Sequence, residues 1–338
     1  MAIKRVEIND FIVFKGEFTA DFFPGVNVII GSNGTGKTTL LKTMYGLLNE
    51  KIERCFYVSN IKESVLFGNG MTRLVLDNDT VFEVRQGEYN EKAGSMVHPL
   101  TGKIENIGAG SARQSIQGEN NNTQSIFIPE KDMLSHSIGF LALKHERPSI
   151  PFDDTLTDII AKAQLYPKRE TLDNPICAKI RTIIGGEVAY DKDMFIVLKD
   201  NNSEEVPFSQ EASGYKKFGL LWKLVRNGLL GSGNVLFWDE PENSLNPELV
   251  PILVDILLEL SRNGVQIIIA THSEILASYF AVNRQEGDNV TFTSLFKDGD
   301  RIRASVSDRF DLLEPNNLVT ESVKLYEKEI VKGLSNNG

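Results

Sequence analysis

Residues 31–38 have the types and spacing of a loop that binds phosphate. They read GSNGTGKT, with an apolar run, Val26 to Ile30, before them and a helix-like run, Thr39 to Leu48, after them. The glycines let consecutive backbone N–H groups converge on an anion, Lys37 adds a charge that can reach the outer phosphates, and Thr38 offers a hydroxyl to Mg²⁺. The following helix directs its N-terminus at the same phosphates. The sequence therefore predicts a nucleotide site formed by Asn33, Gly34, Gly36, Lys37, Thr38 and Thr39.

Two acidic residues follow an apolar run in the second half of the chain. The run Val235 to Trp238 leads directly into Asp239 and Glu240. Ligands of α/β sheets bind at the carboxyl ends of the strands, so both carboxylates should face a ligand. Asp239 can hold Mg²⁺ directly or through water, and Glu240 can orient or deprotonate an attacking water. A solvated surface turn is the alternative, but so apolar a strand downstream of a phosphate loop argues against it.

Two more polar positions could contact an anion. Ser213 and Gly214 open a predicted helix, whose hydroxyl and free N–H groups form an anion site, although serine is also a common helix cap. His272 follows the apolar run Val265 to Ala270, and a strand there would lie beside the Asp239 strand, so we expect a γ-phosphate contact in preference to a structural role. The other histidines lack such a setting and form no metal-binding spacing: His98, His136 and His145.

The elements around these motifs alternate between strands and helices. Ile3 to Phe22 reads as two antiparallel strands that lead into the P-loop strand, and Phe11 and Phe14 are expected to pack on a sheet face, with base stacking as the alternative. Short β-type runs follow at 54–58, 73–76 and 80–84, and a Gly, Ser, Asn and Gln-rich loop is predicted at 104–123. Helices are predicted near 155–166, 175–184 and 321–331, and strands at 125–128, 194–198, 205–208, 290–296 and 301–306.

Composition limits the function classes. The chain has 338 residues and a formal net charge of -10, so any contact with nucleic acid should be local or supplied by a partner. Cys55 and Cys177 are too few for a disulfide framework and are predicted to be inert thiols. No basic head with an apolar core opens the chain, and no apolar run is long enough to cross a bilayer. We therefore expect a cytoplasmic protein with no membrane partner.

Taken in chain order, these motifs resemble those of ABC-type ATPase heads, and the likeness covers nearly all of the chain. It is most similar to the soluble branch that contains the SMC, RecF-like and OLD-family ATPases, through INDFIVFKGEF, GVNVIIGSNGTGKTTLL, DEPENSLNP and IIIATHS. The resemblance implies an α/β P-loop NTPase fold, an ABC-type head with an antiparallel β subdomain and a helical lobe. The head would span 1–305, with a β-rich excursion at 51–128 and a lobe at 131–212, and a helical tail would follow at 306–338.

The resemblance also implies roles for the motif residues. Two heads would face each other as a homodimer across two ATP molecules, each held by Lys37 and Thr38 of one chain and by Ser213 and Gly214 of the other. Asp239 matches the metal-binding acid, Glu240 the catalytic glutamate, His272 the switch histidine, and 242–246 the stretch that crosses between heads. For the glutamine that senses Mg²⁺, Gln124 is the candidate, and the segment 129–135 is the alternative.

The same resemblance leaves several functions open. The signature Ala-Ser-Gly-Tyr-Lys replaces the Leu-Ser-Gly-Gly-Gln of transporter heads, which argues against a transporter energy subunit. The first hypothesis is a Mg²⁺-dependent ATPase coupled to DNA or to damage or phage sensing. The second is a nucleotide-gated scaffold that controls a separate effector protein, such as a nuclease or toxin, because the chain carries no recognisable effector domain.

Overall fold

The structure is a computed structural model that describes residues 2–56, 70–85, 89–90, 95–97, 104–106, 113–117, 123–146, 152–201 and 204–335. Its strands are β1 (Ile3–Phe11), β2 (Phe14–Asp21), β3 (Val26–Gly31), β4 (Met71–Leu76), β5 (Val81–Arg85), β6 (Tyr89–Asn90), β7 (Ser95–Val97), β8 (Ile104–Asn106), β9 (Arg113–Gln117), β10 (Ser125–Ile128), β11 (Gly186–Asp191), β12 (Met194–Lys199), β13 (Glu205–Pro207), β14 (Val235–Asp239), β15 (Gln266–Ala270), β16 (Val290–Asp298) and β17 (Arg301–Ser307). Its helices are α1 (Lys37–Leu48), α2 (Ile52–Cys55), α3 (Phe140–Glu146), α4 (Asp154–Gln164), α5 (Pro175–Ile184), α6 (Ser213–Arg226), α7 (Val250–Arg262), α8 (Glu274–Asn283) and α9 (Asn317–Ser335).

A six-stranded sheet positions the predicted motifs. Its spatial order is β10-β14-β15-β3-β16-β17, and all neighbours run parallel except β16 and β17. Because parallel strands end at the same edge of a sheet, the residues that follow β14, β15 and β3 are brought together. The sheet order therefore places the phosphate loop, Asp239 and His272 at one edge, as predicted.

Both faces of the parallel strands β10, β14, β15 and β3 are buried, which explains their apolar runs. Successive residues alternate between two cores. Val28, Leu236 and Ile267 pack on one side with the helices of the lobe and α7. On the other side, Phe237 and Ile268 pack with α1 and the antiparallel sheet. The fold thus holds the central strands from both sides and fixes the edge that carries the motifs.

A five-stranded antiparallel sheet, β2-β1-β4-β5-β9, covers the α1 side. The predicted pairing of the first two strands is confirmed, with Val6 opposite Ala20. Phe11 and Phe14 are 1% and 0% exposed and belong to the core between the sheets. Their predicted packing role is therefore confirmed, and base stacking is excluded for both rings.

The helical lobe also follows the prediction. Helix α4 is capped by Asp153, whose carboxylate accepts from the Thr155 N–H, and α5 is capped by Asn174, whose side chain accepts from the Ile176 N–H. Strands β11, β12 and β13 form a separate antiparallel sheet that includes the predicted hairpin. The lobe leads into α6, which carries Ser213 and Gly214 at its N-terminus.

Two local predictions were wrong. Residues 54–58 were expected to form a strand, but Ile52 to Cys55 form a helical turn, because Ile52 and Cys55 both bury their side chains against α1. The rest of that run lies outside the described residues. The stretch 104–123 was expected to be a loop, yet it contains β8 and β9. Strand β9 pairs with β5 at the sheet edge, and backbone pairing there needs no apolar composition.

The C-terminal part completes the central sheet. The predicted strand pair of the tail is β16 and β17, and β16 pairs with β3 with Leu295 opposite Gly31. The last helix begins at Asn317, earlier than expected, because the Asn316 side chain accepts from the Val319 N–H. Within the part of the chain that the structure describes, no helix is both long and apolar enough to span a membrane.

Candidate nucleotide-binding site

The phosphate loop turns sharply between β3 and α1. Gly34 and Gly36 have φ angles of 75° and 84°, a left-handed region that favours glycine. A β-carbon on Gly31 would lie 2.4 Å from the carbonyl oxygen of Leu295 in the neighbouring strand. Thr35 Oγ1 donates to the Ser32 carbonyl oxygen at 2.8 Å and closes the turn. The loop therefore needs its glycines for backbone geometry, as the motif predicted.

The ammonium of Lys37 lies at the centre of this loop. Its Nζ donates to the carbonyl oxygens of Gly31 at 2.8 Å and of Ser32 at 3.4 Å, and the residue is only 6% exposed. Burial lowers the pKa of Lys37 to about 8, although Glu240, Asp239 and Glu242 oppose this shift. These carboxylates keep a positive charge favourable at the place where phosphates would bind.

Thr38 and Asp239, the two residues predicted to hold a metal, lie in contact. Thr38 Oγ1 donates to Asp239 Oδ2 at 2.8 Å, although the two residues lie on α1 and β14. Burial raises the pKa of Asp239, while the hydrogen bond from Thr38 lowers it. A hydroxyl and a carboxylate this close are ligands of the kind Mg²⁺ takes when nucleotide phosphates and water supply the rest. Among the described residues, no group of three or more His, Cys, Asp and Glu side chains could hold a metal alone.

Glu240 has a strained backbone and a raised pKa. Its φ angle is 50°, a left-handed conformation that costs a non-glycine residue about 1 kcal/mol, and its N–H donates to the Ala270 carbonyl oxygen at 2.9 Å. Burial, followed by the charges of Glu242 and Asp239, raises the pKa of Glu240 to about 7. A carboxyl group with a pKa near neutrality is suited to act as a general base.

His272 lies between Lys37 and Glu240. Its Nε2 lies 3.2 Å from Glu240 Oε1, and its Nδ1 lies 3.4 Å from Lys37 Nζ. Burial, and then the charge of Lys37, lowers the pKa of His272, which favours the neutral ring. A neutral imidazole can donate a hydrogen bond from one nitrogen only, so its contacts select the tautomer. The structure thus joins the predicted histidine to both predicted charged groups.

Glu242 has a role that the sequence alone did not indicate. Its Oε1 accepts from Thr271 Oγ1 at 2.6 Å and from the His272 N–H at 3.1 Å, while its buried Oε2 has no hydrogen-bond partner. The sequence placed it only in the 242–246 stretch between heads. The contacts show that it positions the backbone of the histidine loop, and only its closeness to Glu240 in sequence could have suggested this.

Ser213 and Gly214 lie apart from the phosphate loop's hydrogen-bond network. The helix cap is Ala212, so Ser213 is not the capping residue that the alternative interpretation assumed, and its side chain is exposed. Ser213 lines a cavity of about 220 Å³ with Glu130, Asn243 and Ser244. Two other residues of the predicted nucleotide site are Asn33 and Thr39. Asn33 lies in the turn of the phosphate loop, and Thr39 lies in the first turn of α1.

Gln124 is not placed to bind the metal. It precedes β10, where its carbonyl oxygen accepts from the Val235 N–H at the amino end of β14. Asp239 ends the same strand, so the length of β14 separates Gln124 from the metal position. The segment that follows β10 lies instead at the carboxyl-end edge of the sheet, where Asp239 lies. Glu130 Oε1 accepts from Asn243 Nδ2 at 2.7 Å, and its charge raises the pKa of both Asp239 and Glu240.

Lys217 was also missed by sequence reasoning. It lies one turn into α6, and its Nζ donates to the Glu240 carbonyl oxygen at 3.1 Å. Burial lowers its pKa to about 8, against the charges of Glu242, Glu130 and Glu240. The lysine links the helix that begins at Ser213 to the catalytic-base candidate, and its position four residues after Ser213 was the available signal.

Comparison with known proteins agrees with this geometry. A family described as "AAA domain, putative AbiEii toxin, Type IV TA system" matches residues 115–278, and a family described as "AAA ATPase domain" matches residues 1–95. The chain is 23% identical over 215 residues to a structural maintenance of chromosomes protein 3 homolog of Plasmodium falciparum, covering 62% of this chain and 16% of that protein. It is 39% identical over 69 residues to the DNA replication and repair protein RecF of Lactobacillus gasseri, covering 20% and 17%.

Solved structures share the fold over most of this chain. A Smc head bound to the C-winged helix domain of ScpA superposes with a TM-score of 0.57 at 12% identity, covering 91% of this chain and 98% of that chain. The SMC head domain from Thermotoga maritima gives a TM-score of 0.50 at 13% identity, covering 91% and 99%. This chain therefore has the fold of SMC head domains, and its motif order is similar to that of ABC-type ATPase heads. It spans less than a fifth of the curated relatives that it matches.

Proposed function

We propose that this chain binds ATP with Mg²⁺ and hydrolyses it, and that the nucleotide state drives pairing of two heads. The observation that carries the proposal is the joint placement of Thr38 beside Asp239 and of His272 beside Glu240 at one sheet edge. The first pair suits a metal–phosphate contact, and the second suits activation of water. A merely structural P-loop would need no carboxyl group with a pKa of about 7 beside it.

In this mechanism the chain's own residues bind the phosphates, orient the attacking water and accept its proton. Backbone N–H groups of residues 33–38 and the Lys37 ammonium hold the phosphates, while Thr38 and Asp239 would hold Mg²⁺, which supplies charge neutralisation on the phosphate oxygens. Water attacks the γ-phosphorus in line with the bond to the leaving ADP oxygen, and Glu240 accepts the water proton. His272 donates from Nε2 to Glu240 and keeps it oriented, while its Nδ1 accepts from the Lys37 ammonium.

Pairing of heads explains where Ser213 and Gly214 act. Helix α6 has 14 residues, and Ser213 at its N-terminus is exposed and suited to receive the phosphates bound to another copy. Each ATP would then lie between Lys37 and Thr38 of one chain and Ser213 and Gly214 of its partner. Such an arrangement is isologous, so one interface forms two identical sites.

Mixing two inactive variants tests this arrangement. Lys37→Ala should abolish nucleotide binding, and Ser213→Arg should bind ATP without pairing. A mixed dimer keeps one intact site, made of Lys37 from one chain and Ser213 from the other. We expect the equimolar mixture to recover up to about a quarter of wild-type phosphate release, because half of the dimers are mixed and each has one good site. No recovery, with wild type active, would contradict the paired-head mechanism.

The nucleotide state would serve one of two biological roles. The first is coupling to DNA or to phage or damage sensing. The second is control of a separate effector protein. The family match to a toxin-related AAA domain supports the effector role, as does the outer face of α9, where Leu325, Tyr326 and Ile330 are exposed. We propose a cytoplasmic protein, with 1–305 as the head and 306–338 as its tail. Native mass and composition of Glu240→Gln, purified from its own cells in ATP and Mg²⁺, would separate the roles. A second protein supports effector control, whereas a dimer carrying DNA supports the first role.

A further inference from the structure

A lysine from the C-terminal third of the chain lies at the tip of the phosphate loop. Strand β16 pairs with β3 with Leu295 opposite Gly31, so the chain continues past the end of β3 just where the loop turns. Lys297 lies two residues further on. Its Nζ lies 3.9 Å from the position that a β-carbon on Gly34 would take. Parallel pairing therefore brings a second cation, in addition to Lys37, to the phosphate loop.

This ammonium forms no ion pair with any of the described residues. No hydrogen bond or ion pair there holds Lys297, and the adjacent Asp298 pairs instead with Arg303, at 3.5 Å. Lys37, by contrast, donates to two loop carbonyl oxygens. An exposed, unpaired lysine over a loop built to hold anions is free to follow a bound anion.

The C-terminal third of the chain also contacts the phosphate loop directly. Asn317 Nδ2 donates to Ser32 Oγ at 2.8 Å, and Ser294 Oγ donates to the Pro315 carbonyl oxygen at 2.5 Å. Because Ser32 accepts this bond, its own hydroxyl hydrogen remains available for another acceptor. Residues at the start of α9 and just before it are thus hydrogen-bonded to the phosphate loop and to β16, the strand that carries Lys297.

We propose that Lys297 is a second phosphate-binding cation of this site and that Asn317 positions the Ser32 hydroxyl toward the same phosphates. The inference rests on the proposed nucleotide binding. The ligand class is a nucleoside triphosphate, whose terminal phosphates carry most of its charge. A cation several ångströms from those phosphates strengthens binding of a triphosphate more than of a diphosphate, and the effect weakens as salt rises.

Calorimetric titration with ATPγS and with ADP, both with Mg²⁺, tests the proposal. Lys297→Gln should weaken ATPγS binding about 3- to 10-fold and ADP binding less, and Lys297→Arg should restore it. Lys179→Ala is the matched control, because it removes an equal charge from an exposed site on α5. Asn317→Ala should weaken ATPγS binding at every salt concentration, since it removes the hydrogen bond that positions the Ser32 hydroxyl and does not remove a charge.

The outcomes distinguish this inference from the proposed function. If wild type binds neither nucleotide, the proposed function fails. If wild type binds and Lys37→Ala does not, but Lys297→Gln matches Lys179→Ala, then the role of Lys297 is wrong. Loss of binding in Lys297→Arg equal to that in Lys297→Gln would also overturn it, because a charge effect should survive this exchange. Circular dichroism of each variant verifies that it folds.

Discussion

His272 Nε2 lies 3.2 Å from Glu240 Oε1, within hydrogen-bonding distance, and both side chains lie beside the phosphate loop. Burial raises the pKa of the Glu240 carboxyl to about 7 and lowers the pKa of the His272 imidazole. A carboxyl group in this state can accept a proton from water near neutral pH. The pair is therefore the most direct structural support for hydrolysis as well as binding.

Glu240→Gln should bind ATP with wild-type affinity but release phosphate at least about 100-fold more slowly, because an amide cannot accept the water proton. Phosphate release at saturating ATP and Mg²⁺ measures the rate, and calorimetry measures binding. Glu248→Gln is the control, since Glu248 is an exposed acid on the turn before α7. Normal turnover in Glu240→Gln would remove the assignment of the base.

The same substitution should change stability in a pH-dependent way. The pKa of Glu240 is raised on folding from 4.5 to about 7, so its ionised form is favoured in the unfolded chain. Glu240 therefore destabilises the native protein increasingly as pH rises from about 4.5 to about 7. We expect Glu240→Gln to be more stable by on the order of 1–2 kcal/mol at pH 8, a value reduced for partial exposure, and equal to wild type near pH 4.

Denaturant unfolding without nucleotide or Mg²⁺, from pH 4 to pH 8, measures this difference. Groups common to both proteins cancel when the two free energies of unfolding are subtracted. A constant difference across the whole pH range would show that packing, and not the raised pKa, separates the variant from wild type.

The structure also predicts opposite outcomes for two residues near β10. Gln124 lies at the amino end of the strands, so Gln124→Ala should leave the Mg²⁺ dependence of phosphate release unchanged. Glu130 lies at the other end and binds Asn243, so Glu130→Ala should raise the Mg²⁺ concentration needed for half-maximal activity by about 3- to 10-fold. Titration of Mg²⁺ at fixed ATP measures both. A larger effect at Gln124 than at Glu130 would contradict the assignment of this edge.

Sequence reasoning located the residues of the site but not all of their contacts. Motifs such as residues 31–38 fix backbone geometry locally, and the apolar runs before Asp239 and His272 determine which strands are central, so the sheet edge could be predicted. The prediction for Gln124 was wrong because it considered the residue type but not the direction of β10, which places Gln124 at the amino end of the parallel strands. The role of Glu242 depends on which loop packs against it, and the contact of Lys297 depends on the β3–β16 register, so neither follows from local pattern.

Glu242 offers a test of positioning without direct contact with substrate. Its Oε1 accepts from Thr271 and from the His272 backbone, so Glu242→Ala should release the histidine loop, whereas Glu242→Gln keeps one accepting oxygen. Because the truncation also leaves buried donors unpaired, it should cost about 1–3 kcal/mol in the free energy of unfolding. We expect phosphate release to fall about 10- to 100-fold in Glu242→Ala with little change in ATP affinity, and to fall less in Glu242→Gln.

Steady-state rates over a range of ATP concentrations separate these effects, because a displaced histidine lowers kcat while the phosphate loop still sets binding. Denaturant unfolding gives the stability cost in parallel. If Glu242→Ala loses ATP affinity as strongly as Lys37→Ala, then Glu242 supports the phosphate loop itself. If Glu242→Gln is as slow as Glu242→Ala, the carboxylate charge matters more than the accepting oxygen, and its role as a positioning residue for His272 would be wrong.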